Sequence, residues 1–212
     1  MSKYATELAR AVGYTNDGVR RIRSSALLHD IGKLSLPDSV LTKREPLTAE
    51  EWEMIKNHPQ LGLGILKYVV GLRDCIDAVL YHHERYDGNG YPRGLKGEEI
   101  PMDARIMAIA DAYDAMTSER SYKTGSLSEE EAIEELKRCS GTQFDPDLVE
   151  TFTGRSGASS GGRLVRLSPG AGGLQVQDRG VVEGVDSADR HDAALDREHL
   201  ARCDGYQVRA DR

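Results

Sequence analysis

One predicted helix constrains the fold of this chain more than any other feature. Residues 104–116, with the sequence ARIMAIADAYDAM, are apolar nearly all round when they are placed on a helix. Such a helix presents no face to solvent, so it must lie at the centre of the fold with other helices around it. No segment alternates apolar and polar residues over a length that predicts a sheet. The sequence therefore predicts an all-α fold built around a buried helix.

Capping patterns and apolar spacing predict the surrounding helices. The segments 48–51 and 128–131 each place Thr or Ser three residues before Glu, a capping box that opens a helix. Asp17 is predicted to cap the second helix, and Pro146 fits the first position of the last one. Further helices are predicted over about residues 3–12, 60–69 and 72–83.

Four of the six histidines lie between residues 29 and 83, and each is near a predicted helix end. His29 ends the second helix, with Gly32 just beyond it, and His58 precedes a proline that marks a helix boundary. His82 and His83 are adjacent. Because neutral imidazole is the commonest metal-binding side chain, this grouping indicates a polynuclear metal site.

Two aspartates add carboxylates to this set. Asp30 follows His29 at the helix end, where its carboxylate would bridge two ions. Asp111 lies in the central helix, where an unpaired carboxylate is costly or becomes protonated, and metal ligation removes that problem. Singly, His58 or Asp111 is more often structural, so the prediction depends on the combination. Mixed imidazole and carboxylate ligands suit iron, manganese or zinc without selecting among them.

Three cations complete a candidate phosphodiester site. Two ions about 3.5–4 Å apart would bridge a water and set it for in-line attack on phosphorus. A phosphodiester then needs cations for its oxygens and a proton for its leaving group. Lys33 follows Asp30 by three residues, and Arg120 and Lys123 follow the central helix. Each of the three also fits an ordinary solvated surface position.

The segment 84–101 predicts a long ordered loop. It holds four glycines and two prolines, and a loop of this length without regular structure is usually functional or disordered. Because the loop follows directly on His82 and His83, we expect it to border the metal site.

Composition excludes several classes of function. The net charge is −7 and no basic stripe is visible, so a nucleic-acid duplex is not an expected partner. The three cysteines are far apart and form no CxxC, which argues against a disulfide scaffold or a thiolate zinc site and favours a reducing compartment. No apolar run is long enough to span a membrane, and residues 1–12 do not resemble a signal peptide. A cytoplasmic protein is expected.

Composition changes abruptly near residue 153. Residues 154–212 contain nine arginines and no lysine, whereas residues 1–153 contain eleven arginines and eight lysines. The tail has almost no periodic apolar face, so we expect it to be unable to pack a core of its own. A disordered natural tail is one explanation, and the explanation we favour is out-of-frame reading of a GC-rich gene, which resequencing would test. The predicted organisation is one domain over 1–153 and a low-complexity tail over 154–212.

The motifs of the first part of the chain resemble those of the HD-GYP domains, a branch of the HD superfamily of metal-dependent phosphohydrolases. The matching stretches are HDIGK at 29–33, NHP at 57–59, HHERYDGNGYP at 82–92, LKGEEIP at 95–101, DAYDAMTS at 111–118, RSYK at 120–123 and GTQFDP at 141–146. Their order and combination are very specific. The resemblance implies an all-helical HD-domain-like bundle and hydrolysis of the bacterial messenger cyclic di-GMP.

The resemblance also implies roles for individual residues. The implied ligands of two or three divalent metal ions are His29, Asp30, His58, His82, His83 and Asp111. Asp30 would bridge the ions, and Lys33 would bind phosphate or protonate the leaving group. Arg120 and Lys123 would hold substrate phosphate, Asp114 would support the site, and Tyr91 would contact substrate. The loop around Tyr91 would also dock partners, including diguanylate cyclases of the GGDEF type.

The match to the family begins part-way through its first helix. Residues 4–12 resemble only the later part of that helix, so an N-terminally truncated domain is expected, with further ligands before Met1. Two alternatives to cyclic di-GMP hydrolysis stay open. One is a catalytically weakened module that binds nucleotide or partners, and the other is a hydrolase of a different cyclic dinucleotide.

Overall fold

The computed structural model describes residues 1–43, 45–118 and 127–154. These ranges contain nine α-helices, listed here in chain order: α1 Ser2–Ala11, α2 Asn16–Leu28, α3 Asp38–Leu41, α4 Ala49–Lys56, α5 His58–Leu66, α6 Ile76–Tyr81, α7 Met102–Thr117, α8 Glu129–Arg138 and α9 Pro146–Thr153. Three short 3-10 helices cover Ile31–Ser35, Arg73–Cys75 and Gly97–Glu99. No strand occurs within the described ranges, so the all-α prediction is confirmed.

Helix α7 is the centre of the fold, as its apolar sequence predicts. Ile106, Met107 and Ile109 are completely buried, and the helix packs against α1, α6, α8 and α9. Tyr113 meets the ring of Tyr4 on α1 edge to face at 4.8 Å and the ring of Phe152 on α9 at 5.1 Å. Because burial of one large apolar side chain stabilises a fold by about 1.5–3 kcal/mol, this helix supplies a large share of the core.

The helix starts follow the capping residues with one exception. Both predicted capping boxes are present, Thr48 with Glu51 at α4 and Ser128 with Glu131 at α8. The predicted cap of α2 at Asp17 is wrong, because the Thr15 hydroxyl accepts the N–H of Gly18 and the helix begins at Asn16. Asp17 therefore lies in the first turn, where its charge still favours the helix N-terminus.

A buried ion pair fastens the last helix to the central one. Asp145 caps α9 by accepting the N–H groups of Asp147 and Leu148. Its other carboxylate oxygen lies 2.5 Å from Nη1 of Arg105 on α7. The predicted start of α9 at Pro146 is thus confirmed, and it is anchored by the carboxylate that precedes it.

Candidate metal centre

The chain brings its candidate ligands together at helix ends. His29 is the residue that ends α2, His58 is the first residue of α5, and His82 and His83 follow α6. We call these four residues the histidine cluster. Asp30 lies between α2 and the 3-10 helix Ile31–Ser35. Helix ends can present neighbouring side chains to one point, which a continuous helix, turning about 100° per residue, cannot.

A close backbone approach sets the distance between two of these ends. The 3-10 helix lies directly against α5, and a Cβ at Gly32 would come within 1.9 Å of the His58 carbonyl oxygen and 2.6 Å of the Gly62 nitrogen. Only glycine permits this contact. Gly32 thereby allows Asp30 to lie next to His58.

The rings of the histidine cluster are in mutual contact. The centroids of His82 and His83 lie 4.0 Å apart, those of His58 and His83 5.1 Å, and those of His29 and His82 5.3 Å. One nitrogen from each of His58, His82 and His83 falls within 4.8 Å of the others, and all three side chains are buried. This spacing can hold one small ion between them.

Three of the rings have their orientation fixed by the backbone. Nδ1 of His29 lies 3.0 Å from the Ala26 carbonyl oxygen, and Nδ1 of His58 and of His82 lies 2.7 Å from the carbonyl three residues earlier. A carbonyl only accepts, so Nδ1 must donate. In the neutral ring Nε2 is then the unprotonated nitrogen, the form that binds a metal.

His82 provides the test of whether a metal fits here. Its Nε2 is buried and has no hydrogen-bond partner within the part of the chain that the structure describes. Burial first, and then the neighbouring imidazoles of His83, His29 and His58, lower the pKa of His82 well below its ordinary value. A neutral ring with a buried lone pair, packed among other imidazoles, suits a divalent cation.

Two carboxylates face the same cluster. Asp30 places Oδ2 3.3 Å from Nε2 of His29 and Oδ1 3.4 Å from Nε2 of His58, so its two oxygens address two different histidines. Asp111 on α7 places Oδ1 3.6 Å from Nε2 of His29. Burial lowers the pKa of His29, but Asp111 and Asp30 outweigh it and raise the pKa to about 9. Lys33 places Nζ 3.1 Å from Oδ2 of Asp30.

A model of the HD domain family matches residues 1–148. The chain belongs to the HD domain family. The match extends through every described helix but the end of the last, and it includes all six candidate ligands.

Relatives and a solved structure agree with this placement in the HD domain family. A cyclic di-GMP phosphodiesterase of Thermotoga maritima is 39% identical over 78% of this chain and 49% of its own length. The 3'3'-cGAMP-specific phosphodiesterase 2 of Vibrio cholerae is 38% identical over 69% of this chain and 28% of its own length. An HDGYP protein from Bdellovibrio bacteriovorus shares the fold, with a TM-score of 0.56 and 21% identity over 72% of this chain and 48% of that chain.

The HD-GYP resemblance of the sequence is therefore confirmed, and this HD domain spans half or less of the length of the relatives it matches. Among the described helices, none combines the length and the apolar character that crossing a membrane requires.

The 84–101 loop borders this centre, as expected. The ring of Tyr91 stacks on the ring of His83, with centroids 4.9 Å apart and planes 27° from parallel. The backbone N–H of Tyr91 donates to the His83 carbonyl oxygen at 3.2 Å. The loop is also held from the other side, because Tyr86 and Asp87 donate to carbonyls in the connection between α8 and α9.

Glu84 is a buried loop residue that the sequence reasoning missed. Its side chain is almost wholly inaccessible, and its carboxylate accepts the N–H groups of Arg93 at 2.7 Å and Leu95 at 3.0 Å. Burial raises the pKa of Glu84. The hydrogen bonds from the backbone N–H groups of Arg93, Leu95 and Gly94 lower this pKa, but burial outweighs them. Its position directly after the His82-His83 pair is the one signal that would have indicated it.

The remaining predicted site residues are Asp114, Arg120 and Lys123. Asp114 forms an ion pair with the amino group of Met1. Arg120 and Lys123 lie outside the described residues, as does the tail from residue 155 onward.

Proposed function

We propose that this chain hydrolyses cyclic di-GMP to the linear dinucleotide with a metal-activated water. The observation that carries the proposal is the buried His82 nitrogen at the centre of four imidazoles, with the Asp30 carboxylate beside them. The Thermotoga relative is named a cyclic di-GMP phosphodiesterase, and this name supplies the substrate class.

The proposed ligands are the six residues of the sequence prediction, namely His29, Asp30, His58, His82, His83 and Asp111. They would hold two or three divalent ions, with Asp30 between two of them because its two oxygens face different histidines. Iron, manganese and zinc all accept this donor set. When bound, such ions lower the pKa of a coordinated water so that it attacks phosphorus near neutral pH.

Lys33 is proposed to serve the reacting phosphate. Its Nζ is tethered by Asp30 at 3.1 Å, beside the proposed ligands, and most of its side chain is shielded from solvent. An ammonium there would neutralise a phosphate oxygen and donate a proton to the oxygen that leaves phosphorus. Attack by water breaks one P–O bond of the cyclic diester, so one ring opening needs one such proton.

The remaining substrate contacts are proposed from the motifs of the sequence. Arg120 and Lys123 would hold substrate phosphate, and Tyr91, which stacks on His83, would contact substrate. Asp114 would support the site. Docking of diguanylate cyclases through the 84–101 loop stays a prediction.

A second substrate is supported by one comparison. The Vibrio relative is named for 3'3'-cGAMP, a cyclic dinucleotide with the same diester ring, and it is nearly as similar to this chain as the Thermotoga relative. The metal chemistry is the same for both substrates, so only the contacts to the bases would separate them.

The proposal is tested by hydrolysis of both dinucleotides with metal-loaded protein. We expect wild type to convert cyclic di-GMP to the linear product and His82→Ala to lose at least about a hundredfold of this rate, because it removes a proposed ligand. His191→Ala changes a histidine that is not among the six proposed ligands, so it is the matched control and should keep the wild-type rate. Equal rates for wild type and His82→Ala would refute the assignment, and faster turnover of 3'3'-cGAMP would replace the substrate.

A further inference from the structure

We propose that Glu84 is a positioning residue, which holds the 84–101 loop so that Tyr91 keeps the ring of His83 in its metal-binding orientation. The inference rests on the proposed metal centre and adds to it a residue that coordinates no ion itself. Glu84 would act through the loop and through Tyr91, on the one member of the histidine cluster that stacks on this tyrosine.

The Glu84 carboxylate is buried and bonded to the loop backbone. Glu84 is 3% exposed, yet it carries two acceptor oxygens. One oxygen accepts the N–H of Arg93 at 2.7 Å and the other accepts the N–H of Leu95 at 3.0 Å. Hydrogen bonds from N–H groups to a carboxylate are among the stronger ones in proteins. Glu84, which directly follows His83, therefore holds the part of the loop that follows Tyr91.

The turn leaves no space for a side chain at Gly90. A Cβ at Gly90 would lie 2.3 Å from the Arg85 nitrogen, 2.6 Å from the Glu84 Cα and 2.6 Å from the His83 carbonyl oxygen. The loop backbone thus lies directly on residues 83–85. With glycine at this position, the N–H of Tyr91 reaches the His83 carbonyl oxygen.

The loop contacts the His83 ring through Tyr91. Tyr91 stacks on His83 at 4.9 Å, and His83 is itself buried among the other imidazoles. The contacts therefore form a closed circuit. Glu84 holds the turn, the turn carries Tyr91, and Tyr91 packs on His83, which is the residue next to Glu84. Partners that orient a metal-binding histidine typically change metal affinity by about 10–100-fold when they are removed.

The test is Co²⁺ affinity, followed by the visible absorption of the bound ion, in a double-mutant cycle. The variants are Glu84→Gln, Tyr91→Ala and the two combined. Glu84→Gln keeps the shape of the side chain but turns an NH₂ group toward the loop N–H groups. We expect each single variant to bind Co²⁺ about tenfold more weakly, with an altered absorption band. The double variant should bind no more weakly than Tyr91→Ala, because both changes break one chain of contacts.

Two further variants keep the test decisive. Glu99→Gln is the matched control, since Glu99 is exposed in the same loop and accepts only the nearby Lys96 N–H among the hydrogen bonds described here. It should bind Co²⁺ like wild type. Gly90→Ala releases the loop without touching the Glu84 carboxylate, and it should reproduce the loss in affinity. It decides the matter if circular dichroism shows that Glu84→Gln has lost its helices.

Three results would overturn the inference. The first is a wild-type Co²⁺ affinity in folded Glu84→Gln, and the second is a double variant whose loss of Co²⁺ affinity equals the sum of the two single losses. The third applies if Gly90→Ala folds and Glu84→Gln does not, and it is a wild-type Co²⁺ affinity in Gly90→Ala. None of these readouts needs turnover. If wild type bound Co²⁺ but left cyclic di-GMP intact, the proposed function would fail while the cycle still tested Glu84.

Discussion

Two imidazoles of the histidine cluster have pKa values shifted in opposite directions in the metal-free chain: that of His82 is lowered and that of His29 is raised. The pKa of His82 is lowered by burial and by the adjacent histidines, so its ring is neutral. The pKa of His29 is raised to about 9 by Asp111 and Asp30, which outweigh its burial. The two aspartates thus stabilise a proton on His29 when no metal ion is bound. Metal binding to His29 must displace that proton.

The raised pKa of His29 predicts a pH dependence of stability in the metal-free protein. Its folded pKa of about 9 exceeds the ordinary value of 6.5, so the folded chain holds the proton more tightly. The stabilisation is complete below pH 6.5 and is lost as the pH rises through about 9. A shift of this size corresponds to at most about 3 kcal/mol. Denaturant unfolding of the chelator-treated protein at several pH values measures it.

The His29→Asn variant is the control for this pH dependence. Its side chain does not titrate, so its unfolding free energy should fall less between pH 6.5 and 9 than that of wild type. If the unfolding free energy of the variant fell as steeply as that of wild type, the pH dependence would arise from a group other than His29.

At the scale of elements, the site depends on how closely the 3-10 helix Ile31–Ser35 approaches α5. Gly32 makes that contact possible, because a Cβ there would collide with the His58 carbonyl oxygen. The collision involves backbone on both sides, so it cannot be relieved by turning a side chain. The distance from Asp30 to His58 therefore depends on Gly32, which is not itself a proposed ligand.

Gly32→Ala is expected to weaken both stability and metal binding. Overpacking at a rigid contact costs about 1–3 kcal/mol, and the displaced 3-10 helix would carry Asp30 away from His58. Calorimetry and Co²⁺ titration measure the two effects.

Gly64→Ala is the matched control within α5. A Cβ at Gly64 would meet no atom within 4 Å, so this variant should keep its metal affinity and gain about 0.5–1 kcal/mol from the helix propensity of alanine. Equal Co²⁺ affinities for Gly32→Ala and wild type would show that the close approach does not position the ligands.

At the scale of the whole molecule, the sequence predicted those features that short-range rules control. The central helix α7 follows from its apolar composition, and the starts of α4, α8 and α9 follow from their capping residues. The cap of α2 was misplaced by two residues because Thr15 and Asp17 both suit an N-cap, and only the backbone geometry selects Thr15.

Long-range contacts were beyond the sequence reasoning. Glu84 was not singled out from the sequence, because its burial depends on the approach of Gly90 and on backbone N–H groups nine and eleven residues away. The convergence of His29, His58, His82 and His83 was predicted as a joint pattern, but their contacts depend on the packing of α2, α5 and α6. No local rule predicts that packing.

Metal content measured by elemental analysis tests the central claim most directly. The six proposed ligands predict two or more divalent ions per wild-type chain after loading and removal of excess metal. His82→Ala should hold fewer ions, since it removes the ligand whose buried nitrogen has no other described partner. Fewer than one ion per folded wild-type chain would contradict the metal centre and favour a module that binds nucleotide or partners without turnover.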